Sequence, residues 1–187
     1  HFMGRFYGPV SGNVLLRKRQ YESLNEPAFS RNLVQSILFA KLRNSKLVLL
    51  RAARTTKDDS THNDLLAGAE LLTQSAARLP SCETIDAMRG VEGSAATAYF
   101  ARFDLMMQNN PAGFCFTTRT RRPPRDEVNA LLSFTYMLLT REIQSAMETV
   151  GLDPAAGYLH TLRPGRPSFA LDLLEELRAA QCDRFVL

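Results

Sequence analysis

GLDPAAGYLHTLRPGRPSFALDLLEE, residues 151–176, places one histidine, His160, on a turn-rich loop and follows it with three acidic residues on the next helix. After Pro167 the apolar residues Ala170, Leu173, Leu174 and Leu177 recur at helical spacing. Asp172, Glu175 and Glu176, at i, i+3 and i+4, therefore share the opposite face. One imidazole with carboxylate oxygens suits Mn²⁺ or Mg²⁺ with open positions for water and phosphate, whereas structural zinc takes a closed set of thiolates and imidazoles. Spacing alone leaves a second reading open, in which the acidic stripe is the solvated face of an amphipathic helix.

Working outward, the segments on both sides read as helices. Asn25-Glu26-Pro27 opens one that carries Phe29, Leu33, Ile37, Leu38 and Lys41 through to Leu50, with proline near the start where it is tolerated. The break TTKDDSTHND supplies Asp and Ser caps for a second, holding Leu65, Leu66, Ala69, Leu72 and Ala76 and stopping before Pro80, and leaves His62 as a surface residue. A third is expected from about Thr84 to Met107, and a fourth from about Arg125 to Val150. Apolar residues cover so much of the fourth helix's circumference that it is expected at the centre of a bundle, with Asn129 and Ser133 as satisfied core groups or as neighbours of the site. The first dozen residues differ: FMGRFYGPV alternates aromatic and polar residues and reads as a short strand.

Within the third helix, Gly90, Gly93, Ser94, Ala95 and Ala96 surround Glu92 with almost no bulk. Glycine in a helix costs about 1 kcal/mol relative to alanine, so this emptiness implies a close approach. The approaching body is DNA, a metal or a packed helix; in the last case Glu92 points to water.

Composition bounds the alternatives. The chain has 187 residues, 45% hydrophobic and 22% charged, and a formal net charge of +4, as expected of an ordinary globular protein. No apolar run approaches the roughly 20 residues that cross a bilayer, and the N-terminus lacks the sections of a signal peptide, so a cytosolic protein without membrane contact is expected. Cys82, Cys115 and Cys182 lack C-x-x-C spacing and are expected as buried free thiols. The basic excess favours polyanions. Arg119, Arg121, Arg122 and Arg125 fall within seven residues before the fourth helix, where Pro123 and Pro124 stiffen a loop able to clamp a nucleic-acid backbone. Arg163 and Arg166 stand beside His160, and the smaller basic groups, Lys41, Arg43 and Lys46 among them, read as solvated faces. No G-x-x-x-x-G-K-[ST] and no H-E-x-x-H occurs, which removes the small-substrate phosphohydrolases built on those motifs.

The blocks RGVEGSAATAYF, RTRRPPRDEVNALLSFTYMLL and GLDPAAGYLHTLRPGRPSFALDLLEELR, with the opening GPVSGNVLLRKRQY, together resemble the CRISPR-associated integrase family, the first-numbered Cas proteins, in the family's order and over nearly the whole chain. The resemblance implies a mainly α fold: a multi-helix catalytic domain over residues 13–187, short of the family's usual C-terminal continuation. Residues 1–12 would then be the remnant strand or linker of an N-terminal β-domain.

It also implies a metal-dependent DNA integrase and endonuclease of prokaryotic spacer acquisition that inserts foreign DNA into the repeat array and cleaves branched DNA. By motif, the glutamate of G-x-E-G falls on Glu92, the histidine after G-L-D-P on His160 and the second acidic ligand on Glu175, with Asp172 in a supporting position; Mg²⁺ or Mn²⁺ is the implied cofactor. Arg163 and Arg166 would position the scissile strand, and Arg119, Arg121, Arg122 and Arg125 would hold DNA nearby. The family works as a homodimer with the second-numbered Cas protein. Two other readings remain at this level: a helical DNA-binding module without catalysis, and a structural helical protein that binds an acidic partner.

Overall fold

The computed structural model describes residues 13–107 and 113–187. The expected strand at His1–Val10, and the loop at Asn109 to Pro111, lie outside the described residues.

Eight α-helices occur in order among the described residues: α1 (Val14–Ser23), α2 (Pro27–Thr55), α3 (Asp59–Arg78), α4 (Ile85–Phe100), α5 (Phe103–Met106), α6 (Glu127–Val150), α7 (Ser168–Arg178) and α8 (Arg184–Val186). A 3₁₀ turn, Leu79–Ser81, comes after α3, and a π-helical turn, Ala179–Asp183, joins α7 to α8. No strand occurs among the described residues, so the expectation of a mainly helical domain holds. None of these helices is long and apolar enough to cross a membrane.

Polar residues start the helices where the sequence puts them. Asp58 accepts the Thr61 N–H at 2.7 Å, Thr84 the Ala87 N–H at 3.1 Å and Asp126 the Asn129 N–H at 2.7 Å, each answering one of the unpaired donors of a helix N-terminus. α6 ends at Gly151, whose φ of +87° suits glycine, and the Leu152 N–H closes back on the Met147 carbonyl at 2.9 Å.

The centre of the domain is α2, not α6. Val34, Leu38, Leu42, Leu49 and Ala52 lie at three-, four- and seven-residue spacings and are buried against α3, α4 and α7. Each large side chain removed from water this way contributes about 1.5–3 kcal/mol. α6 packs one face on α7 and leaves Leu131, Phe134, Met137 and Leu138 between 38% and 54% exposed. An all-round apolar pattern therefore does not produce all-round burial.

The expected single helix from Thr84 to Met107 is broken. It stops at Phe100, turns through Ala101 and Arg102, and resumes as α5. Two interactions account for the break. Arg102 reaches α3, donating to the Asp64 carboxylate at 2.7 Å and the Asp64 carbonyl at 2.8 Å. Phe103, fully buried, turns to pack on Phe116 with ring centroids 4.9 Å apart. The cysteines also differ from expectation: Cys182 is buried, Cys82 partly so, and Cys115 exposed. His62 is partly buried, with Nδ1 2.8 Å from the Ala53 carbonyl.

The loop between α6 and α7 is fixed by its neighbours. Gln20 of α1 accepts the Asp153 N–H at 2.8 Å and donates to the Asp153 carbonyl at 2.9 Å. Gly157 lies so close to the start of α7 that a Cβ there would stand 2.5 Å from Ser168 Cβ and 2.7 Å from its carbonyl carbon. Gly157→Ala is expected to cost about 1–3 kcal/mol, because rigid backbone rather than a flexible side chain must give way. Denaturant unfolding reads the loss, and an unchanged midpoint would remove this account of the glycine.

Candidate active site

The acidic face of α7 points inward, which overturns the solvated-stripe reading. Asp172 is fully buried and the Glu175 side chain is 12% exposed. Apolar residues occupy α7 as well, with Phe169, Ala170 and Leu174 buried, so this helix is enclosed on more than one side.

Asp172 spends its carboxylate on the preceding loop. Oδ2 accepts the N–H groups of Tyr158 at 2.6 Å and Leu159 at 2.9 Å; Oδ1 accepts the His160 N–H at 2.9 Å. His160 Nδ1 lies 2.7 Å from the same Oδ1. A carboxylate can only accept, so Nδ1 carries the proton and Nε2 is the nitrogen left with a lone pair. The geometry thus separates Asp172 from Glu175, which helical spacing does not: one carboxylate orients the imidazole and the other faces the cations of Lys41 and Arg178.

That centre is built from three helices. Lys41 of α2 has a side chain only 4% exposed, and its ammonium bonds both Glu92 of α4 and Glu175 of α7, the latter at 2.5 Å. Arg178, one turn beyond Glu175, places Nη1 3.2 Å from Glu175 and Nη2 3.9 Å from Glu92. Burial pushes the Glu175 carboxyl up, but the Arg178 guanidinium and the Lys41 ammonium more than offset it and hold the group down at about 2. Burial opposes the charge of Arg178, yet the Glu175 carboxylate, with Asp183 behind it, keeps it firmly protonated.

Lys41 and Arg178 are the two residues that sequence reasoning misses. Lys41 reads as one of the surface cations, although it comes four residues after Ile37 and three after Leu38, on the stripe that faces the core. That position on an apolar stripe is the available signal. Arg178 stands one turn after Glu175, four residues beyond Leu174 and eight beyond Ala170 on the buried row of α7, which is the same kind of signal.

Behind the carboxylates runs a second polar layer. Asp183 in the π turn is 1% exposed and accepts from the Tyr99 hydroxyl at 2.9 Å and from the Tyr136 hydroxyl. The Tyr136 ring lies 5.7 Å from the Arg178 guanidinium carbon and 5.5 Å from that of Arg119. Burial raises both tyrosines well above their ordinary range, reinforced by the Asp183 charge.

Arg119 is therefore an inward residue. It also donates to Asn129 Oδ1 at 2.7 Å and to Ser133 Oγ at 3.2 Å. Asn129 is wholly buried and satisfied, accepting in addition the Thr120 N–H at 2.9 Å and donating to the Thr118 carbonyl at 2.8 Å. Arg121, Arg122 and Arg125 are exposed on the loop so anchored. Arg163 is exposed and Arg166 half-buried on the loop carrying His160. Gly90 and Gly93 face open space, with no atom within 4 Å of where a Cβ would stand. Tight helix packing consequently does not explain these glycines, and Glu92 turns to Lys41 rather than to water.

Among the described residues no three His, Cys, Asp or Glu side chains form a ready metal cluster. The donor chemistry nevertheless fits a hard divalent cation: two carboxylates brought to one point and an imidazole whose second nitrogen is held by a buried carboxylate. Glu175 Oε2 is buried and ion-paired to Lys41 and Arg178, yet receives no well-formed hydrogen bond, so a metal would reach it in place of the ammonium.

Fold and cluster together define a helical domain organised round a buried charged centre. Residues 1–187 match the family described as CRISPR associated protein Cas1, and the chain belongs to that family. It is 46% identical over 190 residues to a CRISPR-associated endonuclease Cas1 of Rhodospirillum rubrum and 45% identical over 186 residues to one of Moorella thermoacetica. Each alignment covers 100% of the chain and 54% of the relative, so the chain spans about half the length of these relatives. A Cas1 protein of Thermotoga maritima superimposes with a TM-score of 0.79 at 26% identity, over 98% of this chain and 55% of that one. A casposase bound to integration product shares the fold, with a TM-score of 0.78 at 24% identity over 98% of this chain and 49% of that one.

Proposed function

We propose that this chain carries the catalytic centre of a divalent-metal-dependent DNA integrase and endonuclease of CRISPR adaptation. The observation that carries the reading is the meeting of Glu92 and Glu175, from separate helices, on one buried point, with Asp172 of the same helix as Glu175 orienting the His160 imidazole. Relatives named as CRISPR-associated endonucleases, at 45% and 46% identity, support it.

In this reading Glu92, His160 and Glu175 would hold Mg²⁺ or Mn²⁺. The bound ion supplies Lewis-acid stabilisation of charge on a phosphodiester under attack. Asp172 is a positioning residue that fixes the tautomer and direction of His160. The reaction is transesterification: a 3′-hydroxyl oxygen of the incoming DNA forms a bond to phosphorus, the bond to the repeat strand's 3′-oxygen breaks, and that oxygen leaves with the proton. With water as the attacking group the same exchange is hydrolysis of branched DNA.

Arg163 and Arg166 hold the scissile strand from the His160 loop. Arg121, Arg122 and Arg125 hold backbone phosphates further out, on the loop that Arg119 secures from inside. The open surface at Gly90 and Gly93 admits DNA close to Glu92. The protein works in the prokaryotic cytoplasm as a homodimer with Cas2.

Replacing Arg121, Arg122 and Arg125 together by alanine tests the DNA part of the assignment. Binding to branched DNA should weaken, and the slope of log affinity against log salt should flatten by about 2–3, roughly 0.9 per lost phosphate contact. An unchanged slope would remove these arginines from the interface. For the reading as a whole, the decisive experiment is Mn²⁺-dependent strand joining and cleavage in the variants of Glu92 and His160.

A further inference from the structure

Lys41 stands where a divalent cation would have to stand. Its ammonium bonds Glu92 and Glu175 together, has only donors to offer and cannot ligate a metal. Two cations cannot occupy one point between the same carboxylates, so ammonium and metal exclude each other there. Arg178 is different: it meets the carboxylates from the side, and its planar head is buried over the Tyr136 ring. Lysine's four-carbon stem can move where that guanidinium is held.

A second buried carboxylate borders the same small cavity as Lys41. A small cavity is bounded by Lys41, Ala95, Tyr99, Arg178 and Asp183, and Asp183 is a buried carboxylate with no role in the reaction proposed above.

Building on the assignment of Glu92, His160 and Glu175 as the cation site, we propose that Lys41 is an internal counter-ion. It holds the two carboxylates together before the metal arrives, and it withdraws toward Asp183 when the metal binds. The lysine prevents two acidic groups from repelling each other apart in the metal-free protein, and it sets how tightly the metal is held, because each binding event must first displace it.

Mn²⁺ titration by calorimetry, without DNA, tests this. Lys41→Met should bind Mn²⁺ about tenfold more tightly than wild type, and Asp183→Asn about threefold more weakly, on the scale of single close charge couplings. In the Lys41→Met background, Asp183→Asn should have no effect, because there is no ammonium left to receive. If Lys41→Met fails to fold, Lys41→Gln, which keeps a polar donor, is expected to shift affinity in the same direction. The wild-type chain gives an independent reading: the Lys41 ammonium nitrogen signal should move on adding Mg²⁺.

Mn²⁺ affinity unchanged or weakened in the lysine variant, or an Asp183→Asn effect equal in both backgrounds, overturns the counter-ion role. An immobile Lys41 signal at saturating Mg²⁺ overturns it equally. Glu92→Gln separates the two levels: if it binds Mn²⁺ as wild type does, the cation site itself is misassigned and the counter-ion role falls with it. If Glu92→Gln loses Mn²⁺ while Lys41→Met gains none, only the counter-ion role fails.

Discussion

Glu92→Gln and His160→Ala are each expected to lower Mn²⁺-dependent strand joining and branched-DNA cleavage by about a thousandfold, on the scale at which removing one group that stabilises transition-state charge acts. DNA affinity should change less than about threefold, since the phosphate contacts assigned to the arginines remain. The contrast matters more than the size of the loss. Glu92 and His160 come from different elements, one from α4 and one from a loop, and neither belongs to the exposed arginine surface. A general folding defect would lower affinity and activity together, whereas a ligand defect lowers activity alone. Gel-shift titration and a fluorescent branched substrate, run on the same preparations, distinguish the two. Full Mn²⁺-dependent turnover by His160→Ala would end the catalytic assignment.

Asp172→Ala should act through stability as well as activity. Its carboxylate accepts three backbone N–H groups in addition to the imidazole. An unsatisfied buried donor costs about 1–3 kcal/mol, so a loss of about 3–5 kcal/mol is expected. For a domain of this size that corresponds to a fall in Tm of about 10 °C. Asp172→Asn should fall in between, because its amide oxygen still accepts while its amino group faces donors. Calorimetry reads both, and a Tm within about 2 °C of wild type for Asp172→Ala would show that the loop holds its shape without the carboxylate.

Helix positions and caps are legible in the sequence because they are local. Asp58 at the head of α3 and Gly151 beyond α6 act where short-range rules put them. The break at Arg102 is not, since its cause lies in α3, at Asp64, and in Phe116 across the loop. The place of α6 escapes for a related reason: periodicity says which faces are apolar but not which of them meets a partner. The assignment of Glu92, His160 and Glu175 as ligands rests on the ordered motifs of a family, with Asp172 only as a neighbour, and stays a proposal. The distinction between Asp172 and Glu175 depends on loop N–H groups that converge only when the chain is folded. Lys41 is hidden by its chemistry, since an isolated lysine is usually solvent-facing; only its register on the apolar stripe of α2 marks it.

The wide turn at Ala179–Asp183 sets an angle. A π turn accommodates an extra residue within an otherwise α-helical path, and each residue added or removed rotates the chain beyond it by about 100°. Excising one residue between Arg178 and Asp183 would leave the Glu175–Arg178 spacing intact but remove the π turn and shift Asp183 relative to Tyr99 and Tyr136. The front of the centre and the polar layer behind it are thus keyed to each other by a single residue of helical phase, so substitutions can accumulate in this segment far more readily than changes in its length.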